Sequence, residues 1–177
     1  QPGMIRFTGA ADTGLDESAQ VLAVNRNGES KAYPLRYLLY HHQVRDSIGG
    51  QPVMVTYCSV CRSGRVYKPL VEGRPENFRL AGMDLFNAMF EDETTGSWWR
   101  QANGEAIAGP LKGSFLPEVE SAQMTRRKFF TLYPGGKLML PDPSFLKEYD
   151  SLGEYETGKG KSDLTRTDSV SWNDKSW

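Results

Sequence analysis

The sequence predicts a mainly β, α+β fold: an antiparallel sheet or a partly open barrel with a few short helices and an extended C-terminal tail. Short runs rich in β-branched and aromatic residues recur along the chain. Glycine and Asn-Gly turn signals separate these runs at intervals of about ten residues. No βαβ pattern is visible, so the strands are expected to pair mainly with antiparallel neighbours.

The first half of the chain contains the clearest strand signals. Residues 20–33 read as a hairpin around Asn27-Gly28, a dipeptide favoured in type I′ turns. Pro34 can occupy the first turn of a short helix over residues 35–41. After Gly49-Gly50, alternating β-branched and aromatic residues predict a further strand. We expect antiparallel strands around residues 21–25, 31–33, 53–57, 65–71 and 78–81.

The second half of the chain is less regular. Residues 86–90 are compatible with either a strand or a helix, because short apolar runs do not distinguish the two. The pair Trp98-Trp99 reads as part of a strand, and residues 125–133 read as an amphipathic helix that ends at Pro134. Residues 138–140 form a last apolar run.

Composition divides the chain into a β-rich domain, residues 1–152, and a polar tail, residues 153–177. The tail is rich in Ser, Thr, Lys, Asp and Gly, which bury too little apolar surface to offset the entropy of ordering. We expect it to lie across the body or to contact a protein partner or a second copy. Trp172 and Trp177 are its candidate anchors.

Bulk properties exclude several functional classes. The chain has 177 residues, which fits one domain, and its net charge of −1 does not favour a nucleic-acid partner. No apolar run approaches the roughly 20 residues of a membrane span. No signal peptide is visible, and the abrupt start at Gln1-Pro2-Gly3 is compatible with a leader that is absent from this chain.

All the cysteines and histidines fall in one short window. Cys58 and Cys61 are the only two cysteines, and His41 and His42 are the only two histidines. Thiolates and imidazoles are the ligands preferred by zinc and copper, so the leading hypothesis is a copper or zinc site without an organic cofactor. We expect an imidazole nitrogen within roughly 5 Å of a cysteine sulfur, loose enough for a site without metal.

Two other hypotheses use the same cysteines. In a thiol–disulfide oxidoreductase, one thiolate of the Cys-x-x-Cys pair attacks and the other thiol resolves the mixed disulfide. Arg62 would then lower the pKa of the adjacent Cys61. In a structural or interaction module, a disulfide between Cys58 and Cys61 only staples a turn.

Other residues are candidates for supporting the site. Met83 could add a thioether ligand for copper. We expect Trp99 to pack inward near the cysteine-bearing strand. We also expect Asn87, Asp92 and Gln101 to form a polar network that supports the site, bonded to the backbone or to one another, since buried polar groups need partners.

Several ordered segments carry a family resemblance. These segments are YHHQVRD at residues 40–46, VTYCSVC at 55–61, NAMFED at 87–92, TGSWWRQ at 95–101 and GEAIAGP at 104–110. Together they resemble the bacterial and archaeal family known as domain of unknown function 3179. The chain departs from the family pattern at Arg45, where Asn is usual, and at Ser59-Val60, where Pro-Leu often stands. The resemblance implies an exported protein, periplasmic or extracellular, as many relatives are, with its leader absent from this chain. It implies no established reaction.

Overall fold

The structure is a computed structural model that describes residues 5–10 and 14–156. The strands are β1 (Phe7–Thr8), β2 (Gln20–Arg26), β3 (Glu29–Pro34), β4 (Gln43–Ile48), β5 (Gln51–Cys58), β6 (Ser63–Tyr67), β7 (Leu70–Val71), β8 (Arg74–Pro75), β9 (Phe78–Asp84), β10 (Asn87–Asp92), β11 (Trp98–Arg100), β12 (Ala106–Ala108), β13 (Glu118–Val119), β14 (Ala122–Thr125) and β15 (Lys137–Met139). The helices are α1 (Leu35–His41), α2 (Arg126–Leu132), α3 (Leu146–Ser151) and α4 (Gly153–Glu156), with a 3₁₀ turn at Pro143–Phe145.

The strands form three main sheets and one two-stranded ribbon. The first sheet has the order β1-β15-β3-β2-β14, the cysteine sheet has the order β13-β6-β5-β4, and the tryptophan sheet has the order β12-β11-β10-β9. The pairing is antiparallel apart from the parallel pair β15–β3. The predicted mainly β, α+β fold class is therefore confirmed, and the sheets of the described residues do not close into a barrel.

The cysteine sheet lies between two apolar clusters. Val53 and Val55 belong to the cluster shared with the first sheet and α1. Met54 belongs to the cluster that contains Trp99 of the tryptophan sheet. Since side chains alternate along a strand, Cys58 shares the face of Met54. The end of β5 therefore carries Cys58 toward the tryptophan sheet.

The structure corrects two predicted strands. The strand expected at residues 65–71 is split at Pro69, which has no N–H to donate to a ladder, into β6 and β7. The strand expected to end at Ala81 continues to Asp84, because Gly82 pairs with Met89 beside a register shift that absorbs the irregularity. The ambiguous run at residues 86–90 belongs to a strand that begins at Asn87.

The helices follow local signals in part. The predicted helix at 125–133 is α2, whose N-cap is Thr125: its hydroxyl oxygen accepts the Lys128 N–H at 3.2 Å. The first residues of the predicted tail form α4, which packs against α1. The rest of that tail, including Trp172 and Trp177, lies outside the described residues. No helix between residues 5 and 156 is long and apolar enough to cross a bilayer.

Candidate functional site

The two cysteines lie in the turn that joins β5 to β6. Cys58 is the last residue of β5 and pairs with Ser63 across the turn. The backbone N–H of Cys61 donates to the Cys58 sulfur at 3.2 Å. Arg62 follows with φ of 50°, a left-handed conformation that returns the chain to β6. Both thiols are free, with Cys58 buried and Cys61 exposed.

A second turn, between β9 and β10, faces the cysteines. Its central residues Leu85 and Phe86 have φ of 44° and 70°, as a type I′ turn requires. This conformation is unfavourable for bulky side chains. The turn directs the Phe86 carbonyl oxygen to the thiols, at 3.1 Å from the Cys61 sulfur and 3.5 Å from the Cys58 sulfur.

Asn87 adds a second oxygen. Its Oδ1 lies 3.5 Å from the Cys61 sulfur, and its Nδ2 donates to the Leu85 carbonyl at 3.3 Å. The amide group can make this donation only with its nitrogen toward Leu85, which leaves Oδ1 toward the thiol. Two sulfurs and two oxygens therefore meet where the two turns approach each other.

The surroundings keep the Cys61 thiol protonated. Partial burial of the thiol and a hydrogen bond with the Cys58 side chain raise the pKa of Cys61 to about 12. A thiol with so high a pKa is a poor nucleophile at neutral pH. A bound cation reverses this preference, because a coordinating thiol loses its proton.

His41 is bound to a different part of the molecule. Its Nε2 lies 2.6 Å from the Tyr149 hydroxyl, and its ring contacts Tyr40 and Phe145 edge-on. Burial lowers the pKa of His41 to about 4, so the ring is neutral at neutral pH and shares a hydrogen bond with the Tyr149 hydroxyl. Ligation of a metal through Nε2 would break that hydrogen bond.

His42 closes α1. It adopts φ of 58°, and its backbone N–H donates to the Leu38 carbonyl at 2.8 Å. Burial lowers the pKa of His42, and no partner of its buried Nδ1 is found among the described residues. Across residues 5–10 and 14–156, no three His, Cys, Asp or Glu side chains are grouped to hold a metal ion. Ligation by His41 or His42, and their closeness to the sulfurs, stay predictions.

The sequence also matches a family over residues 1–174, under the description "Protein of unknown function (DUF3179)". The chain belongs to the DUF3179 family. No curated protein and no solved structure gives a significant match. The family resemblance carried by the His-His and Cys-x-x-Cys segments is thus confirmed, and the family description assigns no activity.

In this DUF3179 protein a buried carboxylate orients Trp99, the tryptophan that was predicted to pack inward. Trp99 is buried in the cluster that contains Met54 of β5. Its Nε1 donates to Asp92 at 2.8 Å, and Asp92 also accepts from Thr95 and Ser97. Burial raises the pKa of Asp92, but these hydrogen bonds outweigh burial and hold it below its usual value.

Gln101 links the tryptophan sheet to the cysteine turn. Its Nε2 donates to the Thr56 hydroxyl at 3.1 Å and to the Ser63 carbonyl at 3.2 Å. Asn87, Asp92 and Gln101 are therefore each hydrogen-bonded, as expected, although each bonds to its own set of partners.

The remaining candidate, Met83, lies on β9 opposite Ala88, and its side chain is 39% exposed. Sequence reasoning on this DUF3179 chain missed the Phe86 carbonyl. A main-chain oxygen has no signature in residue types, and Leu-Phe is not a dipeptide that predicts a type I′ turn. Because residues 86–90 were compatible with either a strand or a helix, the turn at their start was not predicted.

Proposed function

We propose that this protein binds a metal ion of the copper or zinc type through Cys58 and Cys61. One observation carries the proposal: both free thiols are directed to the same Phe86 carbonyl oxygen, so the two sulfurs share one small volume. Thiolates are preferred ligands of Cu(I) and Zn(II). Because Cys61 is exposed, an ion can enter from solvent.

The position of the cysteines in the fold favours metal binding over redox work. Reactive Cys-x-x-Cys pairs depend on a lowered thiol pKa, for which a helix N-terminus is one common cause. Here the pair lies in a β-hairpin turn, and the pKa of Cys61 is raised. A cation supplies the charge that releases both protons.

Metal titration of the reduced protein tests the proposal. Zn(II) and Cu(I) are added separately against a competing chromophoric chelator, with Cys58→Ser, Cys61→Ser and His41→Gln measured beside the wild type. We expect each serine variant to abolish tight binding, because a neutral hydroxyl replaces a thiolate. His41→Gln tests the predicted imidazole ligand: a loss of affinity smaller than that of the serine variants supports ligation by His41, and wild-type affinity contradicts it.

Val60→Ala, in the same turn, is the control for general disturbance and should bind like the wild type. The proposal fails if the reduced wild-type protein binds neither ion, or if Cys58→Ser binds as tightly as the wild type.

A second candidate is thiol–disulfide exchange. It is favoured by the Cys61 N–H, which points at the Cys58 sulfur and would stabilise a Cys58 thiolate. Oxidation to a Cys58–Cys61 disulfide would pass two electrons and two protons to the disulfide of a partner protein. Equilibration in glutathione buffers measures the potential. A value close to those of known oxidoreductases, about −120 to −270 mV, supports this role; a much lower value contradicts it.

Export is also part of the proposal, on the strength of the family resemblance. The protein in its native cells should fractionate outside the cytoplasm. Recovery of the protein only from the cytoplasmic fraction would contradict export without affecting the metal titration.

A further inference from the structure

We propose that the Phe86 carbonyl oxygen and the Asn87 Oδ1 complete the metal shell, so that the site is a four-donor site for a divalent ion of the zinc type. This inference rests on the proposed function and extends it by naming two further ligands and the class of ion. Both residues lie at the turn between β9 and β10, opposite the cysteine turn.

The distances between the donor atoms support a tetrahedral site. With metal–sulfur bonds of about 2.3 Å and metal–oxygen bonds of about 2.0–2.2 Å, a sulfur and an oxygen on one tetrahedral ion are about 3.5–3.7 Å apart. The Phe86 oxygen lies 3.5 Å from Cys58 and 3.1 Å from Cys61. The Asn87 oxygen lies 3.5 Å from Cys61. Each of these three sulfur–oxygen distances therefore lies within about 0.5 Å of the tetrahedral value.

Both oxygens are already oriented for this role. The left-handed conformations of Leu85 and Phe86 fix the direction of the Phe86 carbonyl. The hydrogen bond from Asn87 Nδ2 to the Leu85 carbonyl turns Oδ1 toward the thiols. Ligands held in place before binding lose little conformational entropy when the ion arrives.

Charge balance favours a divalent ion over Cu(I). Entry of M²⁺ displaces one proton from Cys58 and one from Cys61, and the two thiolates then neutralise the ion. The oxygen ligands are neutral, so the complex carries no net charge. A Cu(I) complex with the same two thiolates would carry a charge of −1 beside the buried Cys58, and burial of an unpaired charge is costly. Amide oxygens are also harder ligands than Cu(I) prefers.

Variants of Asn87 test the inference. We expect Asn87→Ala to weaken Zn(II) binding by on the order of tenfold or more, as water replaces a positioned ligand. Asn87→Asp retains an oxygen donor and adds charge, so it should bind Zn(II) at least as tightly as the wild type. Asn25→Ala, on the exposed side of β2, is the matched control and should bind like the wild type.

Spectroscopy identifies the ligands directly. Co(II) in place of Zn(II) should show the intense visible bands of tetrahedral coordination and a thiolate charge-transfer band. Asn87→Ala should alter the visible bands and leave the charge-transfer band of the two thiolates. The ¹³C resonance of a labelled Phe86 carbonyl should shift when Zn(II) is added.

The outcomes separate this inference from the proposed function. If Zn(II) binding needs both cysteines but Asn87→Ala and Asn87→Asp match the wild type in affinity and Co(II) spectrum, the Asn87 ligand is disproved. A Phe86 carbonyl resonance that does not shift with Zn(II) disproves the other oxygen ligand, and in both cases the thiolate site stands. Binding of Cu(I) without binding of Zn(II) disproves the divalent site and also leaves the thiolate site standing. If the wild type binds neither ion, the proposed function itself fails.

Discussion

At Asp92 a single buried carboxylate accepts hydrogen bonds from Trp99, from Ser97 and from two donors of Thr95. Asp92→Asn keeps the shape but places an amide N–H₂ against these donors. We expect a loss of about 2–3 kcal/mol in the free energy of unfolding. Chemical denaturation measures it. Glu93→Gln, the same change at the exposed neighbouring residue, should stay within about 0.5 kcal/mol. Equal losses in the two variants would contradict the role of Asp92.

His41 predicts a pH dependence of stability. Its pKa is about 4 in the folded state and 6.5 for the unperturbed group. Between these values the unfolded chain binds more protons, so stability should fall as pH decreases from about 6.5 to about 4. His41→Gln, whose side-chain amide can donate to or accept from Tyr149, should show a shallower fall in thermal midpoint over this window.

Three other groups also contribute to the pH dependence of stability in that experiment. His42 also has a lowered pKa and should leave a residual slope in the same window. Glu29 and Asp92 have lowered pKa values, so their stabilisation is lost only at lower pH, below about 4.5. Identical slopes for wild type and His41→Gln above pH 4.5 would refute the assignment.

Individual site residues were predictable only where residue type carries the information. Two thiols in Cys-x-x-Cys must lie close together, and the structure brings them to one carbonyl. The partner of His41, Tyr149, lies 108 positions away, and no local pattern links the two residues. The Phe86 oxygen belongs to the main chain and was invisible to side-chain reasoning.

Among the elements, the turn between β9 and β10 is under local strain. Replacing Leu85 by Asn and Phe86 by Gly introduces a dipeptide that favours type I′ geometry. We expect this double variant to gain about 1–2 kcal/mol in the free energy of unfolding, through relief of strain and in spite of lost apolar contact. Denaturation measures the gain.

The turn between β2 and β3 provides the control, because a substitution there introduces backbone strain instead of relieving it. Gly28 has φ of 78° and open space around the position of a side chain. Gly28→Ala should therefore cost about 1 kcal/mol from backbone strain alone. The contrary outcome is a double variant of Leu85 and Phe86 that is less stable than the wild type, while Gly28→Ala is destabilised as expected. That result would show that the apolar contacts of the turn outweigh its strain.

Elements defined by local chemistry were the predictable ones. Asn27-Gly28 fixes a two-residue hairpin, and Thr125 fixes the start of α2. By contrast β4 (Gln43–Ile48), with its polar residues, exists because its backbone pairs with β5. The short strands β13 and β14 likewise depend on partners distant in sequence. Tertiary pairing decides such segments, and propensity does not report it.

At the scale of the whole molecule, a largely buried ion pair joins the first sheet to the cysteine sheet. Lys31 Nζ lies 3.0 Å from Asp46 Oδ2 and 4.4 Å from the centre of the Phe7 ring. Asp46→Asn leaves the ammonium group with only the more distant Glu29 carboxylate, at 3.9 Å, and we expect a loss of about 1–3 kcal/mol in the free energy of unfolding.

The double variant Lys31→Met with Asp46→Asn isolates the charge effect. It should recover much of the loss, because no buried charge is then unpaired, and the amide oxygen introduced by Asp46→Asn can still accept from Tyr33. Additive losses from the two substitutions, measured by denaturation, would contradict an interaction between the sheets at this point.

The parallel pairing of β15 with β3 has a consequence for folding of the chain during its synthesis on the ribosome. β15 inserts between β3 and β1, so the first sheet stays incomplete until residues 137–139 have left the exit tunnel. Nearly all of the described sequence must therefore be synthesised before this sheet can form completely. Such long-range closure is typical of folding in milliseconds to seconds. Until then β3 offers an open edge, on which a chaperone could hold the chain.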